Sequence, residues 1–102
     1  MASRLTFEQA HRFLARHPEA VLLDVREEPE YITGHARDAQ LLPVDELTEE
    51  SADLVVGAKT TPVLVYCRTG RRSREAAQKL ETLGYTEVYD MGGLVGWPYG
   101  LE

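Results

Sequence analysis

Three observations predict an α/β domain with a mainly parallel sheet. Short apolar runs of strand length alternate along the chain with segments of helical periodicity. The central run, Pro62-Val63-Leu64-Val65-Tyr66, has no polar interruption, as in a strand covered on both faces. The only cysteine, Cys67, ends that run, and in parallel sheets ligands bind beyond the carboxyl ends of strands.

The elements follow in order. Thr6 through Gln9 reads as a capping box, and a helix continues to about Arg16 with Phe7, Ala10, Phe13 and Leu14 on one face until Pro18 stops it. Val21-Leu22-Leu23-Asp24-Val25 is a short strand. Pro29 fits the first turn of a brief helix that Gly34 ends, and Ala39-Gln40-Leu41-Leu42 is a weaker strand signal. Asp45 to about Val55 is acidic and broken by Ser51, which predicts one or two short helices. After the Pro62–Tyr66 strand, a helix from Ser73 to Leu83 carries Ala76, Ala77, Leu80 and Leu83 on its inner stripe, with Gly84 as its C-terminal cap. Glu87 to Met91 is the last strand, and Gly92-Gly93 turns the chain into a short tail around Leu94 to Tyr99. No repeat, low-complexity tract or linker divides the chain, so residues 1–102 are read as one domain.

Composition narrows the function. No apolar run approaches the ~20 residues of a membrane helix. The segment Met1-Ala2-Ser3-Arg4-Leu5-Thr6-Phe7-Glu8 turns polar too early for a secretory signal, which predicts a cytoplasmic protein. One cysteine makes no internal disulfide, and three scattered histidines offer no metal-ligand spacing, so no metal is expected. A net charge of −6 repels nucleic acid and anionic membranes, yet four of the eleven Lys and Arg residues fall between Arg68 and Arg74. A small basic spot on an acidic body suits a small anion better than a polyanion.

The chemistry centres on Cys67 and the segment Arg68-Thr69-Gly70-Arg71-Arg72-Ser73. A cysteine nucleophile works as the thiolate, whereas a free thiol near pKa ~8.5 is mostly protonated at neutral pH. A helix starting near Ser73 offers unpaired N–H groups, the arginines add full charges, and Gly70 permits the sharp turn that lets the amides of residues 68–73 converge. The competing reading, a lone cysteine as a small buried hydrophobe, leaves the glycine and arginines that follow it unexplained.

These residues carry a resemblance to the rhodanese-like family, the sulfurtransferases. The segment Cys67 to Ser73 resembles that family's six-residue active-site loop, which starts with the catalytic cysteine. Leu23-Asp24-Val25-Arg26 with Tyr31 and Gly34-His35-Ala36 resembles the upstream signature, and Gly92-Gly93 with Trp97 the terminal one, so the likeness spans about residues 5–99. The resemblance implies a five-stranded, mainly parallel sheet with helices on both faces and a thiosulfate sulfurtransferase needing no cofactor. Cys67 would take the outer sulfur of a small anionic donor such as thiosulfate, become a persulfide, and pass the sulfur to cyanide, a thiol or a protein. Tyrosine-phosphatase-type loops instead need an arginine where this chain has Ser73, and Arg72 falls one residue short. The alternative within the family is a non-enzymatic persulfide carrier or partner-docking module.

Supporting roles are assigned in the same terms. Arg68 or Arg71 clamps the donor, Arg72 turns inward to a carboxylate and braces the loop, and Ser73 caps the helix or bonds the sulfur. Asp24 lies beside the loop, where its carboxylate ties loop amides or Arg72, and Arg26 has Glu27, Glu28 and Glu30 within reach. His35 is read as a satisfied structural histidine, and Trp97 with Leu94 as one wall of the pocket or a plug for the core. The family's usual proline-glycine turn is missing from Gly34-His35-Ala36-Arg37-Asp38-Ala39, which predicts a different entry to the next strand. Near the position of Thr69 the two-domain thiosulfate enzymes carry a cation. Its absence here implies modest affinity for thiosulfate and allows another persulfide as donor.

Overall fold

The structure, a computed structural model, describes residues 2–102. The chain forms strand β1 (Ser3–Arg4), helix α1 (Phe7–Arg16), β2 (Val21–Asp24), α2 (Glu28–Thr33), β3 (Gln40–Leu41), a 3-10 turn (Val44–Glu46), α3 (Glu49–Val55), β4 (Val63–Cys67), α4 (Arg71–Thr82) and β5 (Val88–Gly93). The five strands make one sheet in the order β1-β5-β4-β2-β3, and every pairing is parallel. The antiparallel contact is an isolated bridge outside the sheet, between Ala36 and Leu101.

Strand β4 lies between β2 and β5, and all five of its residues are buried, which is why its sequence is continuously apolar. Its side chains alternate between two cores. Val63, Val65 and Cys67 pack with Leu23 of β2 and Val25 just beyond it against Ala52, Val56, Ala76, Ala77 and Leu80. Leu64 and Tyr66 pack on the other face with Ala10, Phe13 and Leu14 of α1. Helices therefore cover both faces, and Cys67 sits on the face covered by α3 and α4.

Several local expectations are corrected. Helix α4 starts at Arg71 rather than Ser73, because Gly70 adopts the left-handed conformation (φ +99°) that ends the turn and serves as N-cap. Gly92 and Gly93 do not turn the chain away; they remain in β5, with Gly93 opposite Cys67. A side chain at Gly93 would collide with the Arg68 carbonyl and stand 2.9 Å from Thr69 Cα, so glycine here serves close approach of two backbones. Ser51 does not break the acidic segment. It completes a capping box with Thr48 at the start of α3. The turn before β3 survives without proline-glycine: Asp38 takes φ +65°, and the Ala39 amide donates to the Ala36 carbonyl at 3.0 Å. Strand β1 was not expected; two exposed residues carry no alternation by which to read it.

Candidate active site

The loop after β4 is short. Residues 68–70 connect Cys67 to α4, and Cys67 Sγ accepts a hydrogen bond from the Gly70 amide at 2.9 Å. That left-handed turn at Gly70 folds the amide back over the sulfur. A side chain at Gly70 would meet Gly92 Cα at an ordinary 3.7 Å, so the left-handed φ rather than crowding calls for glycine there. The Cys67 carbonyl accepts from the Leu94 amide at 2.8 Å, which fixes the end of the strand. Sγ belongs to a residue with no exposed surface, and the expected ring of amides is represented by the single bond from Gly70.

Ser73 is buried in the first turn of α4, and its hydroxyl donates to the Gly70 carbonyl at 3.1 Å. It neither caps the helix nor bonds Sγ. Arg72 does turn to a carboxylate: Nη1 donates to Glu30 Oε1 at 2.7 Å and Nη2 to Oε2 at 3.0 Å. The pair raises the Arg72 pKa and holds the Glu30 carboxyl down at about 2, against an ordinary 4.5. Arg68, Thr69 and Arg71 are exposed.

Asp24 and Arg26 pair with each other instead of with the loop or the nearby glutamates. Asp24 accepts from the Arg26 amide (3.0 Å), from Nε (3.0 and 3.1 Å) and from Nη2 (2.7 Å). The Tyr66 hydroxyl donates to Asp24 Oδ2 at 2.6 Å and accepts from the Ala36 amide at 3.1 Å. Burial and the bond to Asp24 push the Tyr66 phenol far above its ordinary range, and Asp24 raises Arg26. Two residues apart on an extended chain point the same way, so Asp24 and Arg26 meet beyond the sheet edge while the alternate residue Val25 enters the core. Arg26 Nη2 also donates to the Gly34 carbonyl at 2.7 Å. His35 stacks on Tyr31 at 3.8 Å, with Nδ1 3.0 Å from the Tyr31 carbonyl.

A cleft of about 510 Å³ opens beside this network, bordered by Arg26, Glu30, Gly34, Arg68, Leu94 and Trp97 among others. Of the two candidate clamping arginines, Arg68 borders it and Arg71 does not; Arg71 borders a separate cavity with Arg4 and Arg74. Trp97 forms part of the cleft wall and also packs edge-on against Phe7 at 5.3 Å, so wall and plug are the same residue. Tyr66, Glu30 and Gly93 were not singled out as site residues. The aromatic at the end of an apolar strand signalled Tyr66, and a carboxylate near enough to meet Arg72 signalled Glu30 only in general terms. Among the described residues there is no cluster of three or more potential metal ligands, and no helix is long and apolar enough to cross a membrane.

A wholly parallel α/β sheet that delivers one cysteine into a glycine-turned loop at a helix start defines a cysteine-loop α/β domain. Residues 6–98 match the family described as rhodanese-like domain, and the chain belongs to that family. It is 36% identical over 86 residues to a Bacillus subtilis protein, YqhL, described as uncharacterized, covering 83% of this chain and 66% of that one. It is 33% identical over 96 residues to the thiosulfate sulfurtransferase GlpE of Tolumonas auensis, covering 93% and 87%. The fold superposes on a rhodanese from E. coli solved with anions, with a TM-score of 0.75 at 32% identity, covering 81% of this chain and 96% of that one.

Proposed function

We propose that the protein is a sulfurtransferase that moves a sulfane sulfur from thiosulfate or a related donor to a thiophilic acceptor through a persulfide on Cys67. The hydrogen bond from the Gly70 amide to Sγ carries this reading, because it is a donor aimed at the chain's one thiol. The naming of GlpE as a thiosulfate sulfurtransferase supports it. In the first half-reaction the Cys67 thiolate attacks the outer sulfur of thiosulfate; the sulfur–sulfur bond breaks, and its electron pair leaves with sulfite. In the second, cyanide attacks the outer sulfur of the persulfide, thiocyanate leaves, and the electron pair returns to Cys67. Negative charge sits on sulfur at each stage, where the Gly70 N–H, the donor aimed at Sγ, stabilises it without a separate base.

Arg68 is the donor clamp in this reading, since it is the loop arginine that borders the cleft and forms no ion pair among the described residues. The Asp24–Arg26–Tyr66 network and the Arg72–Glu30 pair hold the cleft walls in place. Because Sγ is fully buried, donor entry requires the 68–70 loop to open, a motion of the kind that often limits turnover. That burial is also the one observation favouring a second reading, a persulfide carrier with slow exchange. Steady-state transfer from thiosulfate to cyanide tests the proposal: Cys67→Ser loses it while its circular dichroism stays native. Full activity in Cys67→Ser overturns the mechanism, and wild-type turnover no faster than a free thiol selects the carrier.

A further inference from the structure

Arg4, Arg68, Arg71 and Arg74, which form no ion pair among the described residues, lie around the cysteine loop, and three of them border a cavity other than the cleft. Arg4 of β1 and Arg71 and Arg74 of α4 border one cavity of about 260 Å³, together with Thr69 and Gly70. It shares none of these residues with the cleft that Arg68 and Trp97 border. Among the described residues none of the three arginines forms an ion pair, as is also true of Arg16, Arg37 and Arg68, whereas Arg12, Arg26, Arg72, Lys59 and Lys79 each do; what sets the three apart is that they border one cavity. The chain has six more acidic than basic residues, so the lack of a carboxylate here is not forced by composition. Asp90 and Glu81 border an adjoining cavity with Arg4 and Arg74, and Asp90 directs Oδ1 to the Gly92 amide at 2.8 Å.

The placement of Arg4 is specific. Its Nη2 lies 3.0 Å from where a side chain on Gly92 would begin, so the guanidinium rests on bare backbone next to the loop. All three arginines are exposed, so solvent screens the repulsion between their charges, and an oxyanion seated among them would reduce it further. Guanidinium groups match oxyanions with paired N–H donors. The cavity is smaller than the ~300–1,000 Å³ of sites for drug-sized ligands, which fits a small group.

We propose that Arg4, Arg71 and Arg74 form a second anion site, separate from the cleft, that takes a tetrahedral dianion such as phosphate or sulfate. The dianion is either free in solution or the phosphate end of a larger molecule. Thr69 and Gly70 belong both to this site and to the loop over Cys67, so a bound dianion sits against the backbone that holds the sulfur.

The test is a titration of 15N-labelled protein with inorganic phosphate, sulfate and phenyl phosphate at ionic strength held constant with chloride. Saturable shifts at the amides of Thr69, Gly70 and Arg71 are expected, weakened about tenfold or more in Arg4→Gln/Arg74→Gln. Cys67→Ser binds as the wild type does. Tighter binding of phenyl phosphate assigns the ligand as a monoester, and equal binding assigns a free ion. Non-saturable shifts, shifts confined to Arg68 and Trp97, or unchanged binding in the double variant overturns the site. Sulfur transfer measured on the same samples separates this outcome from failure of the proposed activity, because Arg4 and Arg74 take no part in that reaction.

Discussion

Arg72 and Glu30 are joined by two hydrogen bonds at once, Nη1 to Oε1 at 2.7 Å and Nη2 to Oε2 at 3.0 Å. The pair ties the first turn of α4, which follows the cysteine loop, to α2, whose Glu30 and Thr33 border the cleft. Two-pronged geometry and partial burial set it apart from the surface pairs Arg12–Glu8 and Lys79–Glu75, whose contacts are single and longer.

The pair makes stability depend on acidity. Glu30 titrates at about 2 in the folded protein, below its ordinary 4.5, so its contribution is complete above about 4.5 and is lost as pH falls toward 2. With side-chain exposures of 31% and 28%, solvent screening leaves about 1 kcal/mol of the stabilisation. Urea unfolding of wild type and Glu30→Gln is expected to differ by that amount at neutral pH and to converge near pH 2. A gap that persists undiminished at pH 2 contradicts the role of the pair.

Asp24→Asn removes the charge that compensates Arg26, which is itself only 7% exposed. The buried guanidinium is left with a neutral partner, and the Tyr66 hydroxyl loses its strong acceptor. Breaking such a pair costs about 3–5 kcal/mol. Denaturant titration reads this directly; a loss under about 1 kcal/mol would show that solvent reaches Arg26. The double variant Asp24→Asn/Arg26→Met is expected to be more stable than Asp24→Asn alone.

Gly93→Ala places a methyl group against the Arg68 carbonyl and 2.9 Å from Thr69 Cα. Backbone on both sides gives little room, so the loop shifts and carries the Gly70 amide away from Sγ. Sulfur transfer is expected to fall about tenfold or more. Normal activity with a displaced β5 would locate the strain away from the loop.

Much of this architecture is visible in the sequence because it rests on short-range rules. The Thr6–Gln9 capping box, the unbroken Val63–Cys67 run and the Ala76, Ala77, Leu80 stripe each need only neighbours a few residues away. What the sequence hid depends on partners far along the chain. Glycines 92 and 93 carry the local mark of a turn, and only the approach of residues 68–70 explains why they stay in a strand. Asp24 is surrounded by plausible partners, and the choice of Arg26 and Tyr66 over Arg72 is made by side-chain direction in the folded sheet. Asp38 holds at φ +65° a turn that the proline-glycine pattern assigns to glycine, in keeping with the tolerance of Asp for that region.

Arg68→Ala tests the clamp. Loss of a charged hydrogen bond to a bound anion costs about 1.5–3 kcal/mol, so KM for thiosulfate is expected to rise roughly tenfold to a hundredfold. Arg68→Lys keeps the charge and recovers part of the loss. An unchanged KM in Arg68→Ala would move the donor's anionic end away from the cleft.

Intact-mass spectrometry of the protein after exposure to thiosulfate without an acceptor tests the persulfide most directly. The expected result is the gain of one sulfur atom, located on Cys67 by peptide mapping and discharged by cyanide with release of an equal amount of thiocyanate. An unmodified Cys67 in protein that still transfers sulfur, or an adduct that cyanide does not remove, would contradict it.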